Sequence, residues 1–471
     1  MMSEHFDVAI IGAGPAGLAA ADILGKAGRS VALIDEQPGP GGQIYRAIAT
    51  AGEKRKAVLG ADYAAGSALL GALGHASVRH MAGATVWEVT PERRLSYSLA
   101  GKAASLSADH VVVATGATER PMPFPGWTLP GVMTAGAGQI LLKTPGLLPP
   151  SPCVLAGSGP LLFLLATQYL AAGLKVDAIV ETTPAGNLAK ALPHLPGALL
   201  SNRYLRKGLA MLANLRKAGI AHHRNATGLV AEGSGQVEAL RFRARGKDHR
   251  LPCATLMIHT GIVPNVQISR ALNLDHGWND LQQCWHPVID AFGATSAHGI
   301  RIAGDGGGIA GAEAAGIAGR LAALAILADL GAISASERDN RASADLASLN
   351  WHARARPFLD ALYMVAPEFL DPADETIVCR CEEVTAGKIR EFVDLGCLGP
   401  NQAKSFGRSG MGPCQGRYCG LTVSNIIAAK RKVPMDEVGY YRIRPPLKPI
   451  TLGELASMDL DDDNADQRPA A

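Results

Sequence analysis

Residues 6–35, FDVAIIGAGPAGLAAADILGKAGRSVALID, decide the fold. Phe6 to Ile11, apolar except for Asp7, is a run of the kind that forms a buried parallel strand. It runs straight into Gly12-Ala13-Gly14-Pro15-Ala16-Gly17, then a helical stretch through Ala27, then a second apolar strand, Ser30 to Ile34, ending on Asp35. Each glycine has a physical task. Gly12 permits the tight strand-to-helix turn, Gly14 lets the backbone approach a pyrophosphate at the helix N-terminus, and Gly17 lets helix and strand pack closely. Asp35 can accept a hydrogen bond from an adenosine ribose hydroxyl; Pro15, Ala16 and Glu36 adjoin these positions in the same candidate site. An acid 18 residues after the last glycine, inside one strand–helix–strand unit, separates this pattern from an isolated glycine turn.

Further segments extend the site. Gly41-Gly42-Gln43 follows the second strand, where a flexible backbone can pass beside a flavin ring. Val111 to Ala114 is an apolar strand ending in Thr115-Gly116. Far downstream, Ile300-Arg301-Ile302-Ala303-Gly304-Asp305 is a strand closing on an aspartate, followed by Gly306 to Gly308 and an Ala/Gly-rich helix through Leu327. With these four motifs the first 330 or so residues resemble thioredoxin reductases and related pyridine nucleotide-disulfide oxidoreductases. The resemblance implies FAD, with Asp305 binding its ribityl-pyrophosphate part and the helix after Gly306 covering the flavin.

Cys153 to Ala156 begins a second unit of the same plan. It leads to Gly157-Ser158-Gly159-Pro160-Leu161-Leu162, a helix to about Ala172, and a strand Val176 to Val180 ending in Glu181. In the family this is the NAD(P)H domain, inserted within the FAD domain, and Thr260-Gly261 with Pro264-Asn265 resembles the turn that closes it. Leu162 replaces the third glycine and is expected to hold the helix away from the strand. Glu181, with no adjoining arginine, favours an unphosphorylated ribose over a 2′-phosphate. NADH, another adenine nucleotide such as ATP, and an empty fold all stay open, with Gly157, Gly159 and Glu181 as the candidate contacts.

No cysteine pair lies near Gly42, and Cys153 and Cys253 are a hundred residues apart, so disulfide chemistry is rejected. These two, with Cys284 and Cys397, read as core residues. The informative cysteines come later: Cys379-Arg380-Cys381, 32 intervening residues, then Cys414-Gln415-Gly416-Arg417-Tyr418-Cys419. Two close pairs read as ligands of a metal centre. Cys-x-Cys is atypical of structural zinc, which prefers two to four intervening residues. Gly410, Gly412, Gly416 and Gly420 supply backbone N–H groups, and Arg380, Arg408 and Arg417 supply positive charge, both suited to a [2Fe-2S] cluster. The string from Gly410 to Gly420, the four-residue spacing and Gly41-Gly42-Gln43-Ile44-Tyr45-Arg46 resemble the A (alpha) subunits of opine oxidases, hydrogen cyanide synthase, and hydroxyproline and proline dehydrogenases. Their cysteine module is of the bacterioferritin-associated-ferredoxin type.

That resemblance implies an electron-transferring FAD/[2Fe-2S] subunit of a heteromeric dehydrogenase or oxidase. A smaller FAD-dependent partner oxidises the C–N bond of a secondary-amine amino acid, an FMN can sit at the subunit interface, and a quinone or respiratory carrier accepts the electrons. No acid–base pair is named as catalytic, and all thirteen histidines read as structural or surface residues. Two alternatives remain: a self-sufficient NADH-dependent flavin/iron–sulfur reductase, and a flavoprotein-like scaffold with structural zinc.

The totals agree. A chain of 471 residues exceeds one core; 48% hydrophobic and 18% charged residues with a net charge of +3 give no reason to invoke nucleic acid or a membrane surface. Leu161 to Leu174 is too short for a membrane span, and Val8 to Leu24 follows acids rather than bases, so a cytoplasmic location is expected. The expected organisation is α/β: an FAD domain (1–126 and 285–333), a second nucleotide domain (127–284), a helical linker (334–374), a [2Fe-2S] domain (375–440), and an extended arm with an acidic tail (441–471). The linker reads as a polar stretch followed by an amphipathic helix holding Trp351, Phe358 and Tyr363. The arm, Arg442 to Ile450, is expected to lie on a partner subunit.

Overall fold

The computed structural model describes residues 4–458. The N-terminal apolar run forms β1 (Glu4–Ile11), and β2 (Val31–Asp35) lies parallel to it with Val8 opposite Val31. β3 (Val78–Ala82) extends this parallel layer. β4 (Thr85–Val89), β5 (Arg94–Leu99) and β6 (Lys102–Val113) form an antiparallel ribbon, and β6 returns to pair parallel with β1. The order is β3-β2-β1-β6-β5-β4, with the distant strand Ile300–Ile302 added parallel to β6. Val8, Ile10, Leu33 and Val112 lose all contact with solvent, as strands covered by helices must.

Close backbone approach adds to the buried Leu18 and Leu24 in seating the first helix. A Cβ on Gly17 in the helix Pro15–Lys26 would overlap the Gly12 carbonyl. The helix Ala312–Asp329 packs on that helix so tightly that a Cβ on Gly319 would overlap the backbone of Ala16. The chain thus brings residues three hundred positions apart against one loop.

β7 (Ala117–Glu119) leads out of the first sheet, and β8 (Val132–Thr134), β9 (Cys153–Ser158), β10 (Ala178–Glu181) and β11 (Ala221–His223) begin a second. A three-stranded meander, β12 (Thr227–Glu232), β13 (Ala239–Ala244) and β14 (Lys247–Pro252), precedes β15 (Thr255–Thr260). β16 (Ile262–Pro264) then pairs antiparallel with β7, so exit and re-entry lie side by side. The second sheet, β11-β10-β9-β15-β8, is parallel throughout. Two dinucleotide-type sheets, one inserted in the other, are the α/β class expected.

The segment read as a polar stretch and a separate helix is one continuous helix, Ala335–Leu362. Ser334 Oγ accepts from the Glu337 N–H at its start, and Ala342 packs among Ile317, Leu321 and Leu324. Small apolar residues spaced along one face let a largely polar sequence dock, a pattern too sparse to stand out in the sequence. The cysteine module carries the helices Ala386–Asp394, Pro400–Gly407 and Gly420–Arg431, whose buried Ile389, Val423 and Ile427 join the core under the first sheet.

The arm does not wait for a partner. Ile443 and Leu447 are buried on this chain, and the Leu447 N–H donates to the Trp87 carbonyl at 2.7 Å. Alternation of basic and apolar residues gave it one apolar edge, and β4 offers that edge a site. The acidic tail read at Asp459 to Ala471 lies outside the described residues. Among the described residues no helix is long and apolar enough to cross a membrane.

Candidate functional site

A cavity of about 840 Å³ opens where the two sheets, the helix Ala335–Leu362 and the cysteine module meet. Gly12, Gly14, Pro15, Ala16, Asp35 and Glu36 line one end of it, and Gly42, Gln43, Thr115, Gly116, Gly304 and Asp305 continue the wall. The glycine loop is a cradle that side chains would fill: a Cβ on Gly42 would sit 2.9 Å from Gly14 Cα, and one on Gly12 would crowd the Ala114 carbonyl at 2.5 Å. Asp35 is buried and ties its own turn, accepting from the Ala13 N–H at 2.6 Å and the Gln37 N–H at 2.7 Å. Each of its oxygens keeps a lone pair for a hydroxyl donor. Asp305 Oδ1 likewise accepts from the N–H groups of Ala310 and Gly311, fixing the turn before the helix Ala312–Asp329. Thr115 lines the cavity, and its Oγ1 is buried without a hydrogen-bond partner among the described residues. Gly17 does not reach the wall; its role is the packing described above.

Two features of this end were not legible in the sequence. Lys448 of the arm pairs with Glu36 and lines the cavity with Leu447, so the arm covers the Asp35–Glu36 end. Burial pulls the Lys448 ammonium below its usual pKa while Asp35 opposes the shift. Lys143 is 1% exposed and, among the described residues, has no carboxylate partner. Its Nζ donates to the Gln43 carbonyl at 3.0 Å and to Gln139 Oε1 at 2.8 Å, and burial, with the Arg46 charge adding, pushes its pKa down to about 7.

The second loop meets the same cavity through Ser158 and Gly159, while Gly157 and Glu181 do not. Gly157 is pressed against the backbone of His259, its partner across β9 and β15. Leu162 takes the third glycine position and is fully buried in the core beneath the loop. Glu181 is occupied by its own domain: His222 Nε2 lies 2.9 Å from Oε2 and Thr183 Oγ1 3.0 Å from Oε1. Burial works to raise its pKa, but His222, Thr183 and Arg224 outweigh that and hold it below the usual carboxylate value. The expectation that no arginine adjoins Glu181 is corrected, since Arg224 Nε comes within 3.9 Å from the end of a neighbouring strand.

Among the described residues one histidine lines the cavity. His259 on β15 places Nδ1 2.6 Å from Glu119 Oε1 on β7, and both side chains line the cavity. The helix read as a linker also forms wall, through Arg356 and Asp360 and with Tyr363 just past its end, and Asp360 is pushed up by burial.

The cysteine module reaches the cavity through Cys414, Arg417 and Tyr418. Cys379 and Cys419 are buried, Cys414 is partly so and Cys381 is exposed. The thiols touch in sequence: Cys419 donates to Cys379 and Cys414, lowering both and itself rising well above its ordinary value, and Cys381 adjoins Cys414. Backbone N–H groups of Gly410 and Glu382 point at the Cys379 sulfur, and those of Tyr418 and Gly416 at Cys414. Among the described residues no three His, Cys, Asp or Glu side chains are spread as a ready-made ion cage. The module gathers the four cysteines into one neighbourhood, with backbone amides directed at Cys379 and Cys414. Of the three arginines, Arg417 faces Cys414, Arg408 pairs with Glu382 at 2.9 Å, and Arg380 lies over the Trp127 ring. Cys153, Cys253 and Cys284 are buried thiols, each raised by burial to about 11 or 12, consistent with inert core residues.

Comparison with known proteins places this geometry. Residues 6–319 match the family model described as pyridine nucleotide-disulphide oxidoreductase, and residues 373–458 match the sarcosine oxidase A3 domain. The chain is 44% identical to the A subunit of opine oxidase from Agrobacterium tumefaciens over 97% of its own length and 92% of that protein. It is 34% identical to hydrogen cyanide synthase subunit HcnB of Pseudomonas aeruginosa, over 94% of this chain and 96% of that one. The fold of L-proline dehydrogenase from P. horikoshii superposes with a TM-score of 0.72 at 20% identity, covering 97% of this chain and 80% of that one. The chain belongs to the pyridine nucleotide-disulphide oxidoreductase family, in the branch that holds the A subunits of opine oxidases, and is a flavin-dependent oxidoreductase.

Proposed function

We propose that this chain is the electron-transferring FAD/[2Fe-2S] subunit of a heteromeric dehydrogenase that acts on the C–N bond of a secondary-amine amino acid of the opine or proline type. The observation that carries the reading is the shared cavity, with the glycine cradle at one end and Cys414 on another wall. A bound flavin accepts two electrons and passes them on singly, which suits a one-electron iron–sulfur acceptor. Gly12, Gly14, Pro15, Ala16, Asp35, Glu36, Gly42, Gln43, Thr115, Gly116, Gly304 and Asp305 hold FAD, with Gly17 keeping the loop close. Cys379, Cys381, Cys414 and Cys419 hold the cluster, and the amides aimed at their sulfurs favour the thiolate form.

A smaller amine-oxidising flavoprotein is the partner, a reading supported by the relatives, which are themselves named as subunits, of opine oxidase and of hydrogen cyanide synthase. A quinone or respiratory carrier is the acceptor. An interfacial FMN and an adenine nucleotide at the second loop complete the assignment. The test is anaerobic addition of opines, proline and hydroxyproline to this chain with and without its co-purifying subunit. Bleaching of the flavin and cluster absorption that requires the second subunit supports the division of labour. Bleaching of the isolated chain by an amine, or by NADH, overturns it.

A further inference from the structure

The second nucleotide loop combines a closed ribose site with an open phosphate site. In a dinucleotide fold the acid at the end of the second strand receives the ribose hydroxyl. Here that acid, Glu181, is covered by His222, Thr183 and Arg224 and is absent from the cavity wall. The loop itself is on the wall, ahead of the twelve-residue helix Pro160–Ala171 whose first N–H groups have no helical partner.

One buried side chain is aimed at this loop. His259 is 3% exposed, and an added Cβ on Gly159 would stand 3.4 Å from its Nε2. The parallel register that sets His259 opposite Gly157 and Thr260 opposite Ser158 fixes this approach. The ring cannot turn away, because Nδ1 is held by Glu119 Oε1 at 2.6 Å. Glu119 is fixed in turn, its Oε2 accepting from the Gly136 N–H at 2.8 Å. Among the described residues nothing partners Nε2, and its ring belongs to the cavity wall.

We infer that His259 is the phosphate-contacting residue of the second nucleotide site, that Glu119 positions it, and that the ligand is selected by its diphosphate and not by its ribose. The inference rests on the reading that this fold holds an adenine nucleotide. Glu119 holds the ring through Nδ1, and Nε2 is the ring atom presented to a phosphate oxygen. The ligand class is a diphosphate-bearing nucleotide, either a nucleoside polyphosphate or a dinucleotide.

Calorimetric titration of the FAD-loaded protein, purified with its natural partner, tests this. The ligands are adenosine, AMP, ADP, ATP and NADH, and the proteins are the parent, His259→Asn, Glu119→Gln and Glu181→Gln. FAD content and melting temperature report folding. Removal of a charge-assisted hydrogen bond should weaken ADP or ATP roughly ten- to hundredfold in His259→Asn and Glu119→Gln. Adenosine should change little, so the ADP-to-adenosine affinity ratio collapses, which a merely structural role would leave unmoved. Glu181→Gln should stay within about twofold of the parent, a result in keeping with a carboxylate turned from the site. The ADP and NADH arms separate the two ligand sources. If His259→Asn keeps the parent's ADP-to-adenosine ratio, the role of His259 is refuted while the nucleotide site stands. If the parent binds none of the five ligands, the underlying reading fails and the inference with it.

Discussion

Lys143 is a buried ammonium without a counter-ion, and its replacement by methionine has a calculable signature. The side chain is 1% exposed, and burial lowers its pKa from 10.5 to about 7. At about 1.36 kcal/mol per pH unit, holding the charge inside the fold costs about 5 kcal/mol at low pH. The unfolded chain binds more protons than the folded chain between pH 7 and 10.5, so stability rises with pH across that window. The gain is fully present above pH 10.5 and is lost as pH falls through 7. Between about pH 7 and 9.5 the change is about 3 kcal/mol, and Lys143→Met should lack it. The variant leaves the Gln43 carbonyl and Gln139 Oε1 without their donor, which costs about 1–3 kcal/mol at all pH values and alters the offset, not the slope. Urea unfolding of parent and variant at intervals across that window measures the difference and cancels every other titrating group. A parent-minus-variant stability that is flat across the series refutes the reasoning, because it means that the ammonium is solvated or paired in solution.

Gly319→Ala forces a methyl into the Ala16 backbone and should lower stability by about 1–3 kcal/mol and reduce FAD content; an unchanged melting temperature would contradict the close helix contact. Lys448→Ala breaks the ion pair with Glu36 and should raise the FAD dissociation constant about two- to fivefold, an effect that high salt reproduces in the parent. Cys414→Ser should abolish bound iron and acid-labile sulfide while Cys284→Ser retains both; zinc in place of iron and sulfide in the parent sinks the cluster assignment.

The legible parts of this protein are those specified within a short window. The glycine spacing at Gly12 to Gly17 declares itself because one turn imposes steric demands on neighbouring residues, and the pairs Cys379/Cys381 and Cys414/Cys419 are conspicuous for the same reason. Glu119 and His259 stand 140 positions apart and become a pair only when β7 and β15 meet across the domain junction. Lys143 gives no sign at the end of the short helix Ala135–Lys143, because its burial depends on the loop carrying Gln43. The helix Ala335–Leu362 hid behind its polar face. Glu181 shows the converse error: the motif placed the acid correctly at its strand end, but could not reveal that His222 and Arg224 had already engaged it.

The arm that crosses from the cysteine module to Glu36 also sets an order of events during synthesis. The Gly12 loop emerges first, yet Ile300–Ile302, which completes its sheet, Gly319, which seals its helix, and Lys448, which closes its open end, emerge in that sequence hundreds of residues later. Domains made N-terminal first can begin to fold on the ribosome, but this one lacks a finished cofactor chamber until nearly the whole chain has been released. On the proposed assignment of FAD to this chamber, flavin loading is a late step that falls together with docking of the cysteine module. A chain interrupted anywhere before the arm would carry an intact dinucleotide motif and still leave one end of its chamber open to solvent.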